Sequence, residues 1–240
     1  MAVQLVEFVH VISLDQYRER LAWFREVNSH LPIISQPAVD GRSLDRAQLR
    51  DNSHITENLS YNDESLGRAL SHVELWRRAV ELQATITVAE DDAIFTRDFV
   101  TTANAFLQRL PNDWEIAIWG WSFERYLWVE MPEGVSYCKL ETNQEQLRRS
   151  IDAFRVGHFM PTPVRLRHCF GPMAYTVSAD GAAKLLNSCL PLRDQLIPFP
   201  GFDVVIENTD IDAMMNAVYP GIKAYVSIPP LAVSEHRHEA

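Results

Sequence analysis

Residues 85–95, TITVAEDDAIF, constrain the fold more than any other stretch. An apolar, β-branched run (Ile86, Val88, Ala89) leads into three consecutive carboxylates, Glu90, Asp91 and Asp92, and the chain then turns apolar again. A short run of this kind reads as a buried strand, most often central in an α/β sheet. Open α/β sheets bind ligands in the loops at the carboxyl ends of such strands. Three adjacent acids repel one another, so a fold that keeps them together has to supply a compensating cation. Hard oxygen ligands suit Mg²⁺ or Mn²⁺, ions that clamp phosphate oxygens. An acidic surface turn after the strand is the competing reading of the same residues.

The rest of the composition narrows the partners. A net charge of −10 argues against nucleic acid, which requires a basic face. It also gives no overall attraction to an anionic membrane, so membrane contact is expected to be peripheral at most. Positive charge is carried almost wholly by arginine, with lysine only at Lys139, Lys184 and Lys223. Cys138, Cys169 and Cys189 have neither metal-type spacing nor an even count, and read as free thiols. No leader pattern opens the chain and no stretch reaches the roughly 20 apolar residues of a membrane span. The expected location is the cytoplasm.

Read in order, the 240 residues alternate strand and helix signals without repeats or a linker, which predicts one α/β domain over residues 1–240. Residues 5–14 read as the first strand, with Asp15 as N-cap of a helix over 16–28. A second apolar run, 31–39, ends at Val39-Asp40-Gly41, and 42–63 reads as a long polar surface loop. Residues 65–82 carry the clearest helical stripe, through Leu66, Leu70, Val73, Trp76 and Val80. After the acidic strand come a helix over 99–110 and a strand over 114–121. The aromatics Trp119, Trp121, Phe123, Tyr126 and Trp128 fit either core packing or a platform on which sugar rings stack. Residues 144–154 read as a polar helix, 156–167 as irregular and 169–178 as a strand. A helix over 179–190, a proline-broken loop over 191–200, a helix over 213–218 and a strand over 223–228 complete the chain. A second cluster of acids, Asp203, Glu207, Asp210 and Asp212, precedes that last helix.

Several of these stretches, in this order, resemble glycosyltransferase family 25, which includes bacterial lipooligosaccharide galactosyltransferases and collagen galactosyltransferases. Val11-Ile-Ser-Leu-Asp15 with Arg18 and Arg20 is similar to the family's opening strand and turn, and Pro37-Ala-Val-Asp-Gly41 to its P-A-V-D-G. Leu66-Gly-Arg-Ala-Leu-Ser-His72, with Leu75-Trp76, resembles its L-S-H helix, and Glu90-Asp-Asp92 its E-D-D. Gly171-Pro-Met-Ala-Tyr175, with Gly181-Ala and Leu185-Leu186, is similar to a later family segment. The L-S-H helix followed by E-D-D is the specific pair. Ser13, Arg68 and Pro172 depart from the family's usual Asn, Cys and Thr.

The resemblance implies a GT-A type nucleotide-sugar-binding fold with a mixed, mostly parallel central sheet. It also implies an inverting hexosyltransferase that uses Mn²⁺ (or Mg²⁺) and a UDP-sugar, commonly UDP-galactose, with a glycan or glycolipid acceptor such as a lipooligosaccharide precursor. Carried over residue by residue, Asp92 binds the metal and Glu90 or Asp91 faces the ribose or a coordinated water. Ser13, Arg18, Asp40 and Gly41 hold the uridine and diphosphate, and Ser71 and His72 lie near the donor. The base that takes the acceptor proton comes from Asp212, Asp210 or Asp203; the same acids also suit helix N-termini. His236 or His238 completes the metal site, unless both belong to a disordered tail. Two other classes stay in view: a nucleotide-sugar or glycan-binding protein without turnover, and a Mg²⁺-dependent phosphotransfer enzyme or phosphatase. The second lacks a Gly-rich phosphate loop.

Overall fold

The computed structural model describes residues 5–122, 126–199 and 204–234. Strand β1 (Val9–Ser13) is followed by a 3₁₀ turn, Asp15–Tyr17, and helix α1 (Arg18–Val27). Asp15 therefore lies inside the turn and makes no capping bond, contrary to the expectation from its position. Strand β2 (Ile33–Pro37) leads into the stretch read as loop, which instead holds helix α2 (Arg46–Asp51). Asp45 caps it by accepting from the Ala47 and Gln48 N–H groups, and Ile55, Leu59 and Tyr61 beyond it are buried. Helix α3 (Asp63–Leu82) is capped by Asn62 and stops at Gln83, a residue in the left-handed region at φ 49°.

The acidic strand β3 (Ile86–Glu90) turns through Asp91-Asp92 into the short β4 (Ala93–Phe95), and α4 (Phe99–Leu107) and β5 (Ile116–Gly120) follow. Next come β6 (Leu127–Glu130), β7 (Tyr137–Leu140), α5 (Gln144–Arg149) and α6 (Ile151–Val156). The stretch read as irregular contains β8 (Thr162–His168), whose Pro163 is paired on one side only, where a missing N–H is tolerated. Then come β9 (Ala174–Val177) and α7 (Ala179–Cys189). The proline-broken stretch supplies half of a two-stranded ribbon, β10 (Leu196–Phe199) with β11 (Val204–Glu207). Helix α8 (Ile211–Val218), β12 (Ala224–Ile228) and β13 (Ala232–Ser234) end the described chain.

Nine strands form one α/β sheet in the order β2-β1-β3-β9-β5-β12-β8-β6-β7. It is mixed: β9, β8 and β7 run against the other six strands, which share one direction. Side chains alternate between its faces with the period of two that a strand imposes. Ile86 and Val88 pack with Leu66, Trp76 and Leu185 on the side of α3, α7 and α8, whereas Ala89 packs with Phe24, Phe99 and Phe106 on the side of α1 and α4.

Two glycines allow the loop after β2 to lie against α3. A Cβ on Gly67 would sit 2.4 Å from the Val39 carbonyl oxygen, and one on Gly41 would sit 1.7 Å from that of Asp63. Both obstacles are backbone, so neither moves cheaply. Gly67→Ala is expected to cost about 1–3 kcal/mol, whereas Gly221→Ala, into open space, should change stability by less than about 0.5 kcal/mol. Urea unfolding of both variants checks this; equal costs would contradict the packing described.

Candidate active site

Because β1, β2 and β3 are parallel, their carboxyl ends emerge side by side, with Ile12 level with Glu90 and Ser13 level with Pro37. An open cleft of about 2070 Å³ lies there. Ser13, Arg18, Arg20, Asp40, Gly41 and the three acids line one part of it; Gly171, Asp210 and Asp212 line another.

The three acids meet different neighbours. Asp91 is buried, accepting from the Ser13 hydroxyl at 2.7 Å on one oxygen and pairing with Arg20 at 2.5 Å on the other. Burial still holds its carboxyl above the usual range, against the pull of Ser13 and Arg20. Asp92 accepts from the Ser234 hydroxyl at 2.7 Å, which β13 delivers by pairing with β4. Its other oxygen, Oδ1, is buried with no hydrogen-bond partner among the described residues. Glu90 is half-buried, and desolvation, then the charge of Asp92, push its carboxyl up to about 8 despite Arg68.

Arg68 is the cation between the two acid clusters. Its guanidinium donates to Asp210 at 2.7 Å and to Glu64 at 2.8 Å. Asp210 also accepts from the Ser65 hydroxyl at 3.1 Å and caps α8 through the Ile211 N–H at 2.6 Å. Desolvation pushes Asp210 up to about 6; Arg68 opposes the shift and Asp212 adds to it. Asp212 accepts from two backbone N–H groups, Gly171 at 3.1 Å and Ala213 at 2.7 Å. In the sequence Arg68 stood out only as a departure from a family pattern. The spacing Glu64 to Arg68, one helical turn, was the signal that it faces an acid.

Ser71 does not reach the cleft. It is fully buried, accepting from the Val39 N–H at 2.9 Å and donating to the Gly67 carbonyl at 2.8 Å, so it fastens the loop rather than a ligand. Asp40 is paired with Arg42 at 2.9 Å and accepts from its backbone N–H, which holds its carboxyl below the usual range. His72 lines the cleft with its ring stacked on Tyr175, and desolvation followed by Arg68 lowers it to about 3, so it is neutral. Trp119 and Trp121 belong to the core. Tyr126 and Trp128 do line the cleft, joined by Phe170 and Phe199, which pattern reading missed because they flank loops. Asp203, His236, His238 and Phe123 lie outside the described residues. Among the described residues no three His, Cys, Asp or Glu side chains are grouped to hold a metal ion, and no helix is long and apolar enough to cross a membrane.

An α/β chain with acids and arginines around a cleft at its strand ends is laid out as enzymes acting on charged substrates are. Residues 6–200 match the model of glycosyltransferase family 25, described as an LPS biosynthesis protein, and the chain belongs to that family. It is thus a transferase of sugars. No match is found among curated proteins. Among solved structures the chain is similar to the inositol-1-phosphate CTP transferase from T. maritima, at 14% identity and a TM-score of 0.44, over 97% of this chain and 89% of that one. So loose a likeness does not bear on mechanism.

Glu90 and Asp210 bind their protons more tightly in the folded protein than in the unfolded chain, where they titrate near 4.5 and 3.8. Their contribution to stability is complete below those values and is lost as pH rises, through about 8 for Glu90 and about 6 for Asp210. Glu90→Gln removes the larger effect. It should raise Tm at pH 8.5 by about 2–5 °C relative to wild type and leave it nearly unchanged at pH 5. Melting curves at the two pH values decide, and a shift of the same size at both would contradict the assignment.

Proposed function

We propose that this transferase moves a hexose, galactose first among candidates, from a UDP-sugar to a glycan or glycolipid acceptor such as a lipooligosaccharide or other surface-glycan precursor. The reading includes a GT-A type fold, Mn²⁺ or Mg²⁺ as cofactor, a cytoplasmic setting and at most peripheral membrane contact. Family membership supports the class of reaction. The buried oxygen of Asp92 that has no partner among the described residues is the observation that supports the ion. A buried carboxylate oxygen without a partner is costly, and a divalent cation would remove that cost. Mg²⁺ and Mn²⁺ need only one or two carboxylates when phosphate oxygens and waters fill the remaining positions, so the residues present fit such an ion. Asp92 would hold it, joined, as the family resemblance implies, by His236. The ion, when bound, offsets negative charge on the departing diphosphate.

The chain's own groups do the rest. Arg18 and Arg20 line the cleft beside the β1 turn, where they meet the diphosphate. Tyr126 and Phe170 offer ring surface to the acceptor sugar. Asp212 takes the proton of the acceptor hydroxyl as that oxygen attacks the anomeric carbon, and the bond to the diphosphate breaks with inversion. Asp210 is the lesser candidate, because a guanidinium, a hydroxyl and a backbone N–H already occupy its oxygens. Asp212 has only two backbone N–H partners and keeps lone pairs for a proton.

Released UDP is the readout. Wild type should release it from UDP-galactose, and Asp212→Asn should lower kcat by about 10²–10⁴-fold while the donor KM stays within about threefold. Asp210→Asn should lose less turnover. No UDP released from any UDP-hexose, in the presence of Mn²⁺ and a range of glycan acceptors, would overturn the reading.

A further inference from the structure

Asn216 is a buried polar side chain to which the proposed chemistry gives no part. It stands on α8 one helical turn beyond Asp212, fully buried, where Met214, Met215 and Val218 are core residues. An amide in such a place is costly unless its hydrogen bonds are made. Its Oδ1 accepts from the Cys169 N–H at 2.8 Å, and its Nδ2 donates to the Cys169 carbonyl at 2.8 Å and to the Asp212 carbonyl at 3.0 Å. A backbone N–H only donates and a carbonyl only accepts, so the amide cannot be turned over and its two ends are fixed. Strand β8 makes its last rung at His168, paired with Trp128, and Cys169 is the next residue. Asn216 thus gives the Cys169 peptide the pair of bonds that a neighbouring strand gives elsewhere.

The next two residues are held as well. The Phe170 carbonyl accepts from the Ser122 N–H at 2.9 Å, and the Gly171 N–H donates to Asp212 Oδ2 at 3.1 Å. These bonds close into a ring. Asn216 grips Cys169, Gly171 grips the Asp212 carboxylate, and α8 leads from Asp212 back to Asn216, whose Nδ2 also holds the Asp212 carbonyl. Asp212 is thereby fixed at its side chain and at its backbone by one circuit. Phe170, inside that circuit, lines the cleft with its ring stacked on Phe199, centroids 5.0 Å apart. A base displaced by about 1 Å loses up to about 100-fold in rate, so what holds Asp212 bears on turnover.

We propose that Asn216 is the positioning residue of the acceptor side of the site: one amide sets both the Asp212 carboxylate and the Phe170 ring. This role rests on the functional reading above for what Asp212 and Phe170 do. An asparagine that only satisfied the Cys169 peptide would act on stability, whatever residue stood at 212. A positioning asparagine acts on turnover, and only while Asp212 is there to be misplaced.

A double-mutant cycle on UDP release, with UDP-galactose, Mn²⁺ and the glycan acceptor that wild type uses best, separates the two. Asn216→Ala should lower kcat by about 10–100-fold while the donor KM stays within about threefold. In an Asp212→Asn background the same change should alter kcat by less than about threefold. Asn216→Ser, smaller but still polar, repeats the cycle if the alanine variant does not fold. Losses that multiply across the two backgrounds would overturn the positioning role, as would an unchanged kcat in Asn216→Ala or the loss of the fold in both variants. Amide spectra of ¹⁵N-labelled protein read the ring of hydrogen bonds without any substrate. The side-chain amide protons of Asn216 should exchange slowly in wild type, and the Gly171 N–H resonance should move in the Asn216 variant as it does in Asp212→Asn. Rapid exchange, or a Gly171 resonance that the Asn216 variant leaves in place, would overturn the ring itself. If wild type releases no UDP from any UDP-hexose, the functional reading fails and the role of Asn216 falls with it, while the ring stands or falls by its spectra.

Discussion

Repulsion among Glu90, Asp91 and Asp92 is the constraint around which the cleft is built. Three adjacent carboxylates at the end of a buried strand are tolerable only if each is met separately. Asp91 is met by Arg20 and Ser13, from α1 and β1. Asp92 is met on one oxygen by Ser234, delivered by the strand that ends the described chain. Glu90 is left to the field of Arg68 and to its own proton. Residues from the beginning, middle and end of the chain thus converge on one turn, and each contact that answers a charge also fixes an edge of the site.

Arg68 extends the same logic to the second cluster. Its bonds to Glu64 and Asp210 tie the first turns of α3 to the start of α8. Asp212, two residues further on, holds the Gly171 N–H and so sets the loop that carries Phe170. An exposed ion pair contributes little, but Asp210 is largely shielded, and removing its partner would leave a shielded charge unanswered. The position where the family's usual residue is missing is therefore one on which the geometry of this cleft depends.

Much of this was legible in the residues. Strand β3, helix α3 and the α/β class follow from the apolar period, and the grouping of Ser13, Asp40, Gly41, His72 and the acids at one end of the sheet is what the family resemblance implied. Three things were not legible, each for a physical reason. Proline and polar residues disguised β8, β10 and α2, since pattern reading takes a proline or an aspartate as an interruption when here one sits on a singly paired stretch and the other is a cap. Ser71 looked like a ligand contact because its motif lies near the donor, yet its hydroxyl is spent holding Val39 against α3. The partnership of Trp76, Tyr175 and His72 joins residues about a hundred positions apart, and no local period encodes it.

The central claim of the proposed function is that the turn after β3 holds a divalent cation against a nucleotide diphosphate, through the Asp92 oxygen that has no partner among the described residues. Titrating UDP into wild type and Asp92→Ala, each with and without Mn²⁺, tests it most directly. Wild type should bind UDP at least about tenfold more tightly with the ion than without it, and in Asp92→Ala that difference should vanish. Equal dependence on Mn²⁺ in both proteins, or tight binding by wild type in the presence of a chelator, would contradict it.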